Sequence, residues 1–346
     1  MTDILTRLAK ELSIRQAQVD SAVKLIDEGN TIPFIARYRK EVTGGLDDQV
    51  LRELYDRLMY LRNLESRREE VRRLIESQEK LTAEINESLN KADSLQEIED
   101  IYRPFKPKRR TRASIAREKG LEPLAVIIYA QKLTKGDVLL IASDFIDPEK
   151  GVETAEEALA GAMDIIAETI SDNAQYRRAI RELTFKEGVL ITAAKKEEDS
   201  PYRMYYDFKE PVQKILPHRV LAINRGEKEE FLSVKLEAPE IRIIDWLKSR
   251  TLSKTGSIFR DPIEKAIEDA YRRLIAPSIE NEIRGGLTEA ASEQAIKVFS
   301  ENLRNLLLQP PVKGRVVLGL DPAYRTGCKL AVVTETGSVL HTGVIY

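Results

Sequence analysis

The chain has 346 residues, and its Lys and Arg total 55 against 57 for Asp and Glu. It is therefore long enough for more than one core, and too close to neutral to coat nucleic acid with its whole surface, so any phosphate contact must come from local patches. The single cysteine, Cys328, excludes an intramolecular disulfide, and with His 2 in the composition a structural Cys/His zinc site is excluded too.

The start, MTDILTRLAKELS, is amphipathic rather than apolar and is not a signal peptide. The longest apolar runs, such as Leu124 to Ala130, fall far short of the roughly 20 residues a membrane span requires. The cytoplasm follows by exclusion, with no membrane partner, no metal and no cofactor expected. In chain order, Ser13 with Gln16 forms a capping-box pattern that starts a helix, and Gly29 supplies the left-handed residue that ends it. Val19, Val23 and Ile26 recur at helical spacing. The segment LAKELSIRQAQVDSAVKLI has the outline of a DNA-reading helix-turn-helix, but a helical hairpin closing a small core is the favoured reading.

A long helix is predicted from about residue 46 to 77, with Leu46, Val50, Leu54, Leu58, Leu61 and Leu64 as one stripe, resumed by Val71 and Leu74. Its alternating charges predict a solvated face beside an antiparallel neighbour, supplied by helices beginning near Thr82 and at Ser94. Thr154 and Glu157 cap further helix up to about Arg181, with Ala158, Leu159, Ala162, Ile165, Ile166 and Ile170 inward. The stretch 187–240, broken by Pro201, Pro211, Pro217 and Pro239, reads as irregular loops with a short strand or two. Helices are predicted from about 262 to 276 and from about 288 to 308, stopped by Pro310 and Pro311. The period then changes. VVLGLD, KLAVVT and SVLHTGVIY read as strands, the last two joined at Thr336-Gly337. Strands that leave a face and an edge uncovered suggest a domain cut short.

The densest charge lies in RPFKPKRRTRASIAREK, which holds eight basic residues, Arg103, Lys106, Lys108, Arg109, Arg110, Arg112, Arg117 and Lys119, against Glu118, a local charge of +7. Pro104 and Pro107 forbid regular helix through its first part, so the side chains splay from an extended segment suited to phosphates. The plain alternative is internal pairing with Glu97, Glu99 and Asp100 just upstream. A second patch, FIARYRKEVTGG, carries Arg37, Arg39 and Lys40 beside Tyr38, where aromatics next to arginines suit stacking on unpaired bases; Phe34 and Tyr38 serve equally as core anchors. The aromatics of YRMYYDF, residues 202–208, fit better beneath a loop than on bases. His218, in PHRVLAINRGE, has no carboxylate or serine in a recognisable catalytic arrangement. Asp321 ends a first strand as in RNase H-type nucleases, whose metal pair needs several carboxylates; before Pro322 it reads as a turn residue, a vestigial nuclease-like position.

These residues carry a resemblance. PFIARYRKEVTGGLDD (33–48), YRPFKPKRRTRASIAREKGLEPLA (102–125), HRVLAINRGE (218–227) and ENLRNLLLQPPVKGRVVLGLDPAYRTGCKLAVV (301–333) look like the Tex bacterial transcription accessory proteins, in the same order from end to end. The resemblance implies a helical region with helix-turn-helix-like pieces, then an RNase H-like domain of the YqgF type without a working nuclease site. Helix-hairpin-helix repeats and an OB-fold RNA-binding domain would follow, so the main RNA-binding module would lie beyond Tyr346. The turn DPAYRTG departs from the family, which more often has glycine where Ala323 stands.

The expected chain is thus mainly α, with a helical region over 1–310, subdivided near 100–120 and 187–240, and an incomplete YqgF-type α/β domain over 311–346. The expected role is a non-catalytic, nucleic-acid-binding transcription factor that prefers single-stranded RNA to duplex DNA and takes no small-molecule substrate. Its rivals are a docking scaffold for RNA polymerase or the ribosome, and a metal-dependent nuclease.

Overall fold

The computed structural model describes residues 2–107, 109–196, 198–254, 256–310, 313–323 and 325–346. It is mainly helical, as the periodicity predicts. Two compact units divide the chain: Met1–Thr192 with Asp207–Lys214 and Val234–Arg284, and Ala193–Tyr206 with Ile215–Ser233 and Gly285–Tyr346.

The first unit begins with α1 (Thr2–Glu11), α2 (Gln16–Asp27) and α3 (Ile32–Tyr38), all packed on the long helix α4 (Asp48–Glu76). Asp47 starts α4 by accepting the Val50 N–H at 2.9 Å. The α4 stripe runs through Leu51, Leu54, Leu58, Leu61, Leu64, Val71 and Ile75, and meets Leu8, Val19 and Ile35 in one core. This makes α1 and α2 the core-closing hairpin. The cap of α2 differs from the predicted one. Arg15 is the N-cap residue, and its backbone N–H donates to Gln18 Oε1 at 3.1 Å. Ser13 takes a left-handed φ of 54°, so it belongs to the turn after α1. Gly29, at φ 84°, does end α2.

Two helices, α5 (Ala83–Lys91) and α6 (Leu95–Tyr102), return beside α4. The arginines of α4 facing them are not merely solvated. Arg68 donates to the carbonyls of Leu89 and Ala92, and Arg72 to Asn86 and Asn90.

Helices α7 (Arg112–Glu118), α8 (Glu122–Ala130) and α9 (Val138–Ser143) surround α10 (Ala155–Ser171). Gly161 permits the approach of α10, since a Cβ there would stand 2.4 Å from Leu121 Cδ1. The helical run predicted from 154 to 181 is interrupted. Asn173 caps a new helix, α11 (Ala174–Glu187), by accepting the Tyr176 N–H at 3.0 Å.

Strands β1 (Val189–Ala194), β2 (Asp207–Pro211) and β3 (Leu232–Glu237) form a sheet in the order β2-β1-β3. Between the last two runs α12 (Pro217–Lys228), which the loop reading of 187–240 missed. Pro217 sits in its first turn, where no N–H is needed, and Gly226 lies inside the helix because Leu232 and Tyr202 crowd it. Helix α13 (Glu240–Thr251), also unpredicted, precedes α14 (Arg260–Asp269).

The two helices expected over 262–276 and 288–308 join into one path. From α14 the chain makes a π-helical turn, Ala270–Ile275, and enters α15 (Ala276–Leu307). Pro277 accounts for the turn, because its ring would collide with the Arg273 carbonyl in a regular α-helix.

In this first unit, the fully buried Arg177 of α11 (0% exposed) ties α6 to α15. Its Nε donates to Asp100 Oδ1 at 3.1 Å and its Nη2 to Ser278 Oγ at 2.8 Å and to Glu282. Arg181 adds bonds to Asp100 and Glu282. Burial opposes ionisation of Glu282, but Arg177 and Arg181 still hold its carboxyl below the ordinary range.

In the second unit, Tyr202 and Tyr205 are buried, and Asn224 of α12 donates to Thr288 Oγ1 at 2.8 Å. Its last residues form a meander of β4 (Val317–Asp321), β5 (Cys328–Val333) and β6 (Val339–Ile345), antiparallel in the order β4-β5-β6. The predicted hairpin turn is present, with Gly337 at φ 89°.

Candidate nucleic-acid interface

The basic strip starts where α6 ends. Pro104 allows only a 3-10 turn, Arg103–Phe105, and Lys106 and Thr111 on either side of the next stretch have extended backbone. Thr111 restarts the helix: its Oγ1 accepts the Ser114 N–H at 3.0 Å while Ser114 Oγ accepts the Thr111 N–H at 2.8 Å. The charges beyond Thr111 therefore ride on α7, whose Ala113 and Ala116 are buried.

This arrangement sorts the strip. Arg117 Nη1 donates to Glu168 Oε2 at 2.7 Å, and the same carboxylate accepts from Thr111 Oγ1 at 3.1 Å. Lys119 Nζ donates to the Gly151 carbonyl at 2.6 Å. Arg103 lies 3.5 Å from Asp172, and burial, reinforced by Arg177, pulls its guanidinium below its ordinary value. Lys106 reaches Glu99 only at 3.9 Å and stays exposed. Arg109, Arg110 and Arg112 are exposed and have no ion-pair partner among the described residues. Arg112 does favour ionisation of Asp164, together with Arg273, against the burial that pushes that carboxyl up. Lys108 lies outside the described residues.

Internal pairing is thus real for part of the strip; of the expected partners Glu99 meets Lys106, at 3.9 Å, and the others are taken elsewhere. Asp100 is taken by Arg177 and Arg181, and Glu97 by the Asp93 N–H and Arg178. Glu168 and Asp172, on and just after α10, take the larger share. Sequence reasoning missed them because Glu168 stands 51 residues from Arg117, a separation with no local signature.

The second patch sits at the end of α3. Ile35 is buried and anchors the helix, whereas Tyr38 is 59% exposed. Its ring lies 5.3 Å from that of Phe34 at an interplanar angle of 47°. The Arg37 guanidinium lies 5.6 Å from the centre of the Tyr38 ring, and that of Arg39 lies 5.3 Å from the Phe34 ring. Arg37, Arg39 and Lys40 are exposed and meet no carboxylate among the described residues.

The loop that follows is pinned. The Thr43 hydroxyl donates to the Lys40 carbonyl at 3.1 Å, and Gln18 Nε2 to the Gly44 carbonyl at 2.9 Å. Gly44 and Gly45 carry φ of 65° and 87°, which non-glycine residues rarely adopt. Gln18, on α2, is the supporting residue that sequence reading missed.

The remaining candidates separate cleanly. In YRMYYDF, Tyr202 and Tyr205 are buried and Tyr202 donates to Glu229 at 2.8 Å, so these aromatics fill space beneath their loop. His218 is exposed in the first turn of α12. Asp321 ends β4 on an exposed strand, opposite Lys329. Among the described residues no helix is long and apolar enough to cross a membrane.

Comparison with known families gives three matches along the chain. The model of the Tex-like protein N-terminal domain matches residues 2–76, the Tex central region-like model 137–299, and the Tex protein YqgF-like domain model 315–346. The chain belongs to the Tex family. It is 50% identical over 345 residues to the uncharacterized protein YdcI of Bacillus subtilis (strain 168), covering 98% of this chain and 48% of that one. The transcriptional accessory protein Tex of Neisseria gonorrhoeae is 38% identical over 347 residues, with 98% and 45% covered. The human S1 RNA-binding domain-containing protein 1 is 31% identical over 366 residues, with 99% and 36% covered. The chain therefore spans about half the length of its bacterial relatives. The Tyr38 patch falls inside the N-terminal match, whereas Arg103 to Lys119 falls between the N-terminal and central matches.

Proposed function

We propose that this Tex-family chain is a nucleic-acid-binding transcription accessory factor that acts by binding rather than catalysis and favours single-stranded RNA over duplex DNA. Its phosphate contacts are Arg109, Arg110 and Arg112, joined by Lys106, with Arg37, Arg39 and Lys40 as a second group. The observation that carries this reading is the exposure of Arg109 and Arg110, which have no ion-pair partner among the described residues, and of Arg112, which faces only the electrostatic pull of Asp164, beside Arg103 and Arg117, which are ion-paired. Leaving guanidinium groups unneutralised on a near-neutral surface suits a partner that brings negative charge. Relatives named as a transcriptional accessory protein and an RNA-binding-domain protein support the same reading.

The test is fluorescence anisotropy of this chain with labelled single-stranded RNA and duplex DNA across a salt series. A variant combining Arg109→Glu, Arg110→Glu and Arg112→Glu runs alongside. The parent should bind RNA more tightly, weaken with salt, and lose affinity in the variant, with a slope reduced by about 0.7 per lost phosphate contact on a single strand. Equal, salt-insensitive binding by parent and variant would reject the strip as the contact, and magnesium-dependent cleavage of the RNA would reject the non-catalytic role.

A second reading, docking to RNA polymerase or the ribosome, is favoured by one observation. Val126 of α8 and Leu140 of α9 are 62% and 71% exposed. It requires a complex with purified polymerase or ribosomes that survives nuclease treatment and is lost in Val126→Asp with Leu140→Asp.

A further inference from the structure

The two cationic groups differ in what surrounds the charge. Arg109, Arg110 and Arg112 have no aromatic ring stacked on them among the described residues, whereas Arg37 and Arg39 each lie over one. From this difference we infer that Tyr38, with Arg37 and Arg39, is a stacking subsite for unpaired bases, and that it supplies the preference for single strands. The inference rests on the nucleic-acid reading above and adds a specificity-determining residue to it.

Tyr38 is at the end of a short helix that Ile35 anchors, so its ring is presented by a fixed backbone and is not itself needed in the core. Phe34, tilted 47° against it, limits its swing. A guanidinium lying over a ring uses only one of its faces. Its outer face is free for a base, and its N–H groups meet no carboxylate among the described residues; Arg39 Nη1 donates to the Tyr38 carbonyl at 3.3 Å, which leaves the remaining N–H groups for phosphate or base-edge oxygens. Lys40, exposed two residues further on, adds a point charge, and Gln18 holds the following turn in place through the Gly44 carbonyl. Every base has a π-face, so such a site is tolerant of sequence, but in a duplex those faces are covered by neighbouring bases. The subsite therefore discriminates by strandedness.

The test compares Tyr38→Ala with Tyr38→Trp in the 346-residue chain, using a labelled single-stranded oligouridine RNA and a DNA duplex of equal length. Tyr38→Ala should weaken RNA binding roughly ten-fold, the effect of losing one stacked base, while leaving the slope of affinity against salt unchanged. Tyr38→Trp should retain or improve RNA affinity, and neither variant should alter duplex binding. An unchanged RNA affinity in Tyr38→Ala, or an equal loss on the duplex, overturns the subsite. The charge-reversal variant of Arg109, Arg110 and Arg112 keeps the two ideas apart: if it loses RNA while Tyr38→Ala does not, the phosphate strip stands and the stacking subsite falls. If the parent binds neither ligand at low salt, both fall together.

Discussion

The strip from Arg103 to Lys119 and the turn after α3 both look like cationic surface in one dimension, yet the folded chain uses them differently. In the strip, α7 is laid along α10, and the acids on and just after α10 absorb Arg117 and Arg103. What stays exposed without an ion pair among the described residues is Arg109, Arg110 and Arg112. At the end of α3 no carboxylate among the described residues pairs with Arg37, Arg39 or Lys40, and the arginines lie over aromatic rings instead. Charge density in sequence therefore overstates the reactive surface of the strip, and the smaller cluster keeps a larger fraction of its charge. What decides is the neighbour supplied by tertiary structure.

The contrast between paired and free cations can be broken most severely at Arg177. Arg177→Ala should destabilise the fold by about 3–5 kcal/mol, because a buried ion-pair network would lose its central cation and leave Asp100 and Glu282 to Arg181 alone. Urea unfolding followed by circular dichroism would measure it, with nucleic-acid affinity unchanged below the transition. Next in size, charge reversal at Arg109, Arg110 and Arg112 should shift stability by less than about 0.5 kcal/mol while costing at least about ten-fold in RNA affinity, the opposite pattern. Arg117→Ala lies between the two. Glu168 would lose the Arg117 ion pair but keep Thr111, so a loss of about 1–2 kcal/mol is expected, seen as a lower urea midpoint.

The smallest effect concerns Glu11, whose carboxyl is lowered to about 2, chiefly by the hydrogen bond from Arg57 and also by that from Arg7. Its folded value lies below the ordinary 4.5, so its contribution is fully present above that pH and fades as pH falls through about 2. Glu11→Gln should flatten the acid limb of the stability profile in that window without touching RNA affinity at neutral pH. Thermal melts at stepped pH would show whether the limb flattens.

Much of the fold was legible because short-range chemistry specifies it. The leucine stripe of α4, the caps at Ser94 and Thr154, the left-handed Gly29 and the hairpin glycine Gly337 all act within a few residues of themselves. The errors share a cause as well. Pro217 suggests a loop by composition, yet it sits in the first turn of α12, where no N–H is needed. Asn173 breaks a run whose apolar period continues across it. At the site, the cations themselves were legible. Their fate was not, because Glu168 and Gln18 come from distant parts of the chain.

The π-helical turn at Ala270–Ile275 has a consequence for the buried charges. Each residue of an α-helix advances the azimuth by about 100°, so one residue more or less before α15 sets the compass bearing of everything after it. Deleting a single residue there would rotate the rest of α15 and leave Ile279, Ile283 and Glu282 aimed at the wrong neighbours. The ion pairs of Arg177 and Arg181 are thus indexed by a local dislocation in the helix, and an insertion or deletion near Pro277 would be felt as misalignment rather than as a shorter rod.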